Sequence, residues 1–66
     1  MLIRDFTVPE LDKFRALCNF TPYERLYFEL KAMDKSNVEI AFEMNVSTAQ
    51  VSKIAKRVRT KIIKIL

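Results

Sequence analysis

The sequence contains no glycine, no histidine and no tryptophan. Without glycine there is no glycine-dependent hairpin turn and no glycine-rich loop to cradle a nucleotide phosphate. Without histidine, and with Cys18 as the single cysteine, neither a His/Cys metal cluster nor an internal disulfide can be built. No paired carboxylates and no nucleophile–base set stand out, so an enzyme is the weakest functional reading and no cofactor is expected. No apolar run approaches the ~20 residues of a membrane-spanning helix. The opening MLIRDF lacks the long apolar centre of a secretory signal. A cytosolic protein with no membrane partner is the expectation.

A further absence is positional. Acidic side chains stop at Glu43. Residues 1–45 carry six basic groups (Arg4, Lys13, Arg15, Arg25, Lys31, Lys35) against eight acidic ones, a net of −2. Residues 46–66 carry Lys53, Lys56, Arg57, Arg59, Lys61 and Lys64 with no acid, a net of +6. The overall +4 therefore conceals a division between a mildly acidic body and a strongly basic end. On composition alone a basic run is as often a solvated helix face as a binding surface.

What is present favours helices. Half of the 66 residues are hydrophobic, enough for a real core in a chain whose length buries only about 60% of its unfolded surface. Thr7 and Glu10, Thr21 and Glu24, Ser36 and Glu39, and Ser47 and Gln50 are four capping-box pairs. In each, a hydroxyl takes a free amide of the new helix and the residue three later reaches back. Pro9 and Pro22 fall in first turns, where a missing N–H is harmless. The pattern predicts an arm over 1–6 and helices over 9–19, 22–33, 37–44 and 48–65. Leu11, Phe14, Leu17 and Cys18 form the expected buried face of the first helix. Tyr23, Leu26, Tyr27, Leu30 and Met33 form that of the second, which leaves base stacking by Tyr23 or Tyr27 an unfavoured alternative. Ile40, Ala41 and Met44 form that of the third.

Between the third and fourth helices, Met44-Asn45-Val46 must turn sharply. Asn accepts the left-handed backbone better than any residue but glycine. Two short helices, a small residue (Ala41) at their crossing and a polar corner make a helix-turn-helix unit. In the fourth helix, Val51, Ile54, Ala55, Val58, Ile62 and Ile65 fall within one arc of about a hundred degrees. Ala49, Ser52, Lys53, Lys56 and Thr60 fall opposite. Beyond Val58 the apolar arc is expected to outrun so small a core. Ile62, Ile65 and Leu66 then pack on the first helix or the arm, or join two copies as a homodimer; the pattern leaves both open. Val38 and Phe42 lie four apart on the third helix, away from its core stripe. The favoured reading is that the N-terminal arm covers them; the other is a partner surface.

Placed in a major groove, the second helix of such a unit brings its N-terminal residues to the base edges. Ser47, Thr48, Ala49, Ser52, Lys53 and Lys56 are then nearest to double-stranded DNA. Ser47, and Ser36 with Asn37 one helix earlier, sit at helix N-termini that favour a phosphate. Lys53 and Lys56 reach base acceptors or phosphates, and Ala49 with the Thr48 methyl can touch a thymine methyl. Arg57, Arg59, Lys61 and Lys64 suit the phosphate backbone, and Thr60 lies on the same side. No Asn or Arg stands at the helix tip, so the bidentate adenine reader is missing and sequence discrimination is expected to be modest.

The segment TPYERLYFELKAMDKSNVEIAFEMNVSTAQVSKIAKRV resembles the four-helix DNA-binding domains of sigma factor region 4 and of LuxR-type regulators. The resemblance rests on Thr21-Pro22-Tyr23-Glu24-Arg25, on Ser36-Asn37-Val38-Glu39-Ile40-Ala41 and on Ser47 through Val51. It departs from their pattern at Asn45, where glycine is usual, and at Phe42, where a polar residue is. It implies an all-α, compact four-helix domain with a long C-terminal recognition helix, residues 47–60 entering the major groove. The implied function is transcription regulation at a promoter or operator. A small stand-alone regulator, of the kind a phage or mobile element carries, fits better than a sigma factor or a signal-regulated LuxR protein. The alternative is a protein-interaction module that binds RNA polymerase or another regulator through Val38, Phe42 and the C-terminal helix.

Overall fold

In a computed structural model that describes residues 3–66, a short 3-10 turn at Ile3–Asp5 precedes four α-helices. These are α1 (Val8–Leu17), α2 (Pro22–Ala32), α3 (Asn37–Met44) and α4 (Thr48–Ile65). There is no strand among the described residues. Of the expected N-terminal arm, Met1 and Leu2 lie outside them. Ile3 and Phe6 are half-buried against the core, and the 3-10 turn packs on α2.

Each helix starts where its cap dictates. Thr7, Thr21 and Ser36 form complete capping boxes with Glu10, Glu24 and Glu39. At α4 only half of the box forms: Ser47 Oγ accepts from the Gln50 amide at 3.1 Å. The neutral Gln50 amide group is a weaker acceptor than a carboxylate and makes no return bond. Two helices end on left-handed residues. Asn45 has φ 57°; its N–H bonds Phe42 O at 3.2 Å, and that of Val46 bonds Ala41 O at 3.0 Å. Asp34 has φ 63°; its N–H bonds Lys31 O at 2.9 Å, and that of Lys35 bonds Leu30 O at 3.1 Å. Both pairs are Schellman closures, which satisfy helix carbonyls that would otherwise be orphaned. In a chain without glycine, Asn and Asp are the residues that visit this conformation at least strain.

α4 is the central element. Its 18 residues rise roughly 27 Å, most of the molecule's 29 Å long axis. It packs on α2, α3 and α1 through Val51, Ile54, Ala55, Val58 and Ile62. Ile62 is fully buried and Ile65 is half-buried, so the core reaches a full turn beyond the expected limit at Val58, while Leu66 is exposed. Phe14 and Phe28 anchor the other side. Phe14 meets Phe6 and Phe28 edge-on, at centroid distances of 4.9 and 6.4 Å. Arg15 joins α1 to α2 through two 2.8 Å bonds to Glu29 and lies 5.6 Å over the Phe28 ring.

Several expectations are corrected. α1 ends at Leu17 rather than 19, because Cys18 turns to an extended backbone, and α2 ends one residue early, at Ala32. Leu17, Tyr23, Leu26 and Met33 are exposed, not core. α2 is rotated so that Tyr27, Phe28 and Leu30 face inward, with Glu24 beside them. The reason is packing from two sides: α2 lies against α4, α3 and the 3-10 turn at once, and Phe28 fills the space toward α1 that an ideal Leu26/Met33 stripe would leave open. Val38 and Phe42 are 70% and 88% exposed. The 3-10 turn at Ile3–Asp5 packs on α2 rather than over them.

The closure at Asn45 gives a direct test. Asn45→Val should lower unfolding stability by roughly 1–2 kcal/mol in urea titration, because a β-branched residue resists the left-handed backbone. Asn45→Gly should match the parent. Equal stability of the Val and Gly variants would show that the turn does not require this conformation.

Candidate nucleic-acid interface

With its apolar arc held in the core, α4 presents the rest of its surface outward. Ser47, Thr48, Ala49, Ser52, Lys53, Lys56, Arg57 and Thr60 are all exposed, as are Ser36 and Asn37 at the start of α3. Lys53, Lys56, Arg57, Thr60, Lys61 and Lys64 line one open groove of about 470 Å³ beside α4, with Glu24 of α2 at its edge. Lys53, Lys56, Arg57 and Lys64 form no ion pair with any described residue. Their charge faces solvent uncompensated.

Two of the predicted hydroxyls are engaged within their own helix. Ser52 Oγ donates to Thr48 O at 3.2 Å and Thr60 Oγ1 to Lys56 O at 2.9 Å. Their protons point back along α4, and a lone pair is what remains for an incoming donor. At the N-terminus, α4 has no acidic residue in its first turn, whereas α1, α2 and α3 each have a glutamate there. The free amides and positive dipole end of α4 are thus uncompensated, a setting that favours an anion.

Two of the six cations stand elsewhere than the sequence reading placed them. Lys61 does not project freely toward a phosphate. Its Nζ donates to Glu24 Oε1 and to Asn19 O, which ties α4 to the α1–α2 corner. Arg59 lies on the opposite edge of the apolar arc, next to Tyr27, Lys31 and Ile62. The helix phase explains both. At 100° per residue Lys61 borders Ile54 and Arg59 borders Ala55, so these two flank the buried face while the others point away from it.

Sequence reasoning missed Glu24 as anything more than a cap. It is only 3% exposed. Burial pushes its carboxyl up, but the Lys61 ammonium and the Thr21 amide outweigh that and hold it below the usual carboxylate range. Hydrogen bonds from Arg15 lead the causes that hold Glu29 low. The signal for Glu24 was weak: a capping glutamate is ordinarily exposed, and only the phase of Tyr27 and Phe28 puts this one at the α2–α4 seam. Cys18 is the buried core residue its neighbours suggested, its thiol pushed up by burial and donating to Lys61 O at 3.6 Å.

No helix among the described residues is long and apolar enough to cross a membrane. Comparison of the chain with models of known families, with curated proteins and with solved structures gives no match.

The Glu24–Lys61 pair predicts an acid-sensitive fold. The Glu24 and Glu29 carboxyls are depressed in the folded state, so their stabilisation is fully present above the unfolded value of about 4.3 and is lost as pH falls through the folded values. Melting temperature should therefore drop on acidification below about pH 4.3. Glu24→Gln should melt lower than the parent at neutral pH, and the gap should close in acid. A gap of constant size across that range would mean that the carboxylate charge is not what Lys61 recognises.

Proposed function

We propose that the protein binds double-stranded DNA as a transcription regulator, with α3 and α4 acting as a helix-turn-helix unit and residues 47–60 entering the major groove. The observation that carries this reading is the row of unpaired cations on the outward side of α4, Lys53, Lys56, Arg57 and Lys64, on a helix with no acid. The left-handed corner at Asn45, the small buried Ala41 and the acid-free N-terminus of α4 are what such a unit needs. So does the resemblance of the Ser36–Val51 pattern to sigma region 4 and LuxR-type domains. Thr48, Ala49, Lys53 and Lys56 approach base edges; Arg57, Lys64 and the amides behind Ser47 and Ser36–Asn37 hold phosphates. Phosphate contacts dominate, so affinity depends steeply on salt and sequence preference is modest.

Titration against a duplex at several salt concentrations tests it. Lys53→Ala and Lys56→Ala should each weaken binding and reduce the log–log salt slope by about one. Neither residue carries core contacts, so folding should persist. An unchanged slope in both variants would remove this face from the reading.

A second reading has its own observation. Phe42 is 88% and Val38 70% exposed, four residues apart on one side of α3, where they form an apolar spot that a partner could cover. RNA polymerase or another regulator is the partner class. Phe42→Glu should abolish retention of purified RNA polymerase on the immobilised protein while DNA affinity stays within twofold or so, since a rim substitution on α3 leaves the α4 cations in place. Retention unaffected by Phe42→Glu would discard this surface.

A further inference from the structure

On the side of α4 away from the basic groove, a cavity of about 190 Å³ opens between the 3-10 turn, α2, α3 and α4. Ile3, Ala55 and Ile62 supply its apolar lining, and Tyr27, Lys31, Asn37 and Arg59 its polar groups. Among the described residues no acidic side chain lines it. Lys31 and Arg59 form no ion pair with any described residue. Tyr27 is 6% exposed, yet no described residue hydrogen-bonds its hydroxyl, and no sealed side-chain oxygen or nitrogen lacks a partner. The hydroxyl therefore opens into the cavity. There it is free to donate to a ligand atom that enters the cavity.

We propose that the cavity binds a small aromatic carboxylate, with its anionic group between Arg59 and Lys31, the Tyr27 hydroxyl donating to it, and its ring against Ile3, Ala55 and Ile62. The size fits the class. A cavity of about 150 Å³ takes up a benzene ring, whereas drug-sized sites begin at roughly 300 Å³. Arg59 offers a planar fork matched to a carboxylate, and Lys31 adds a point charge. The site does not depend on the DNA-binding reading: Arg59 is the cation of α4 that stands outside the basic groove.

The test is an amide NMR titration of the whole 66-residue protein in the absence of DNA, with benzoate, its neutral counterpart benzamide, and acetate. Benzoate should shift the amides of Ile3, Tyr27, Ala55 and Ile62 saturably. Benzamide should bind about tenfold more weakly, for want of the charge-assisted bonds, and acetate should not saturate over the same range. Arg59→Gln should weaken benzoate about tenfold and leave benzamide unchanged. Tyr27→Phe keeps the ring and should weaken benzoate to a smaller degree. Three results would each overturn the proposal: no saturation by benzoate, equal binding of benzamide, or benzoate shifts centred on Lys53 and Arg57, which would be general attraction to the basic groove.

Discussion

Burial of one side of α4 is the constraint on which the rest of the molecule depends. Val51, Ile54, Ala55, Val58 and Ile62 are taken up by three other helices. A rigid helix fixed along one side has no freedom left on the other. Every residue out of phase with the stripe is delivered to the surface at a set angle, and in this helix those residues include six cations and no acid. The phase also separates them. Lys61 meets Glu24 at one border of the stripe, Arg59 meets Tyr27 and the small cavity at the other, and the remaining four form an open row between. One helix thus carries a structural cation, a cavity cation and a solvent-facing set, distinguished by angle alone.

The distribution of acid follows from how the other helices begin and join. Glu10, Glu24 and Glu39 close capping boxes, while Asp12 and Glu29 hold Arg15. Five of the eight acidic residues are therefore committed to helix starts and to the α1–α2 join. Of these five, Glu24 is the one that pairs with a cation of α4. The local chemistry that builds α1 to α3 without glycine or a large core is the same chemistry that leaves α4 unscreened.

The sequence was legible where local rules act alone. All four hydroxyl caps, three of the four capping boxes in full, the bend at Asn45 and the apolar arc of α4 follow from local pattern and are in place; only the return bond from Gln50 is missing. Reading failed where two elements compete for one side chain. The stripe Tyr23, Leu26, Met33 is as regular as Tyr27 and Leu30, and periodicity could not reveal that α2 is clasped between α4 and the 3-10 turn, which rotates Phe28 and Glu24 inward. The Schellman closure at Asp34 has the same local cause as that at Asn45, a short polar residue in the left-handed conformation after a helix. The solvent-facing row of α4 follows from phase; the diversion of Lys61 and Arg59 follows from what lies beside them, which no sequence window contains.

The charge of α4 is not neutral for its stability, and that bears on what it is for. Lys53/Lys56, Lys53/Arg57, Lys56/Arg59, Arg57/Lys61 and Lys61/Lys64 are five like-charge pairs at three- or four-residue spacing. At 0.2–0.5 kcal/mol each on an exposed helix, they destabilise it by roughly 1–2.5 kcal/mol, with Glu24 offsetting part at Lys61. A helix serving only to close a core would be more stable with the usual mixture of signs on its outer side. Polyanion binding removes this repulsion at the moment of contact and releases the polyanion's own counterions. The unfavourable placement is therefore expected of a DNA-binding helix and is unexplained by packing, which uses the other side of the same residues' helix and would be unchanged if the outward lysines were glutamates.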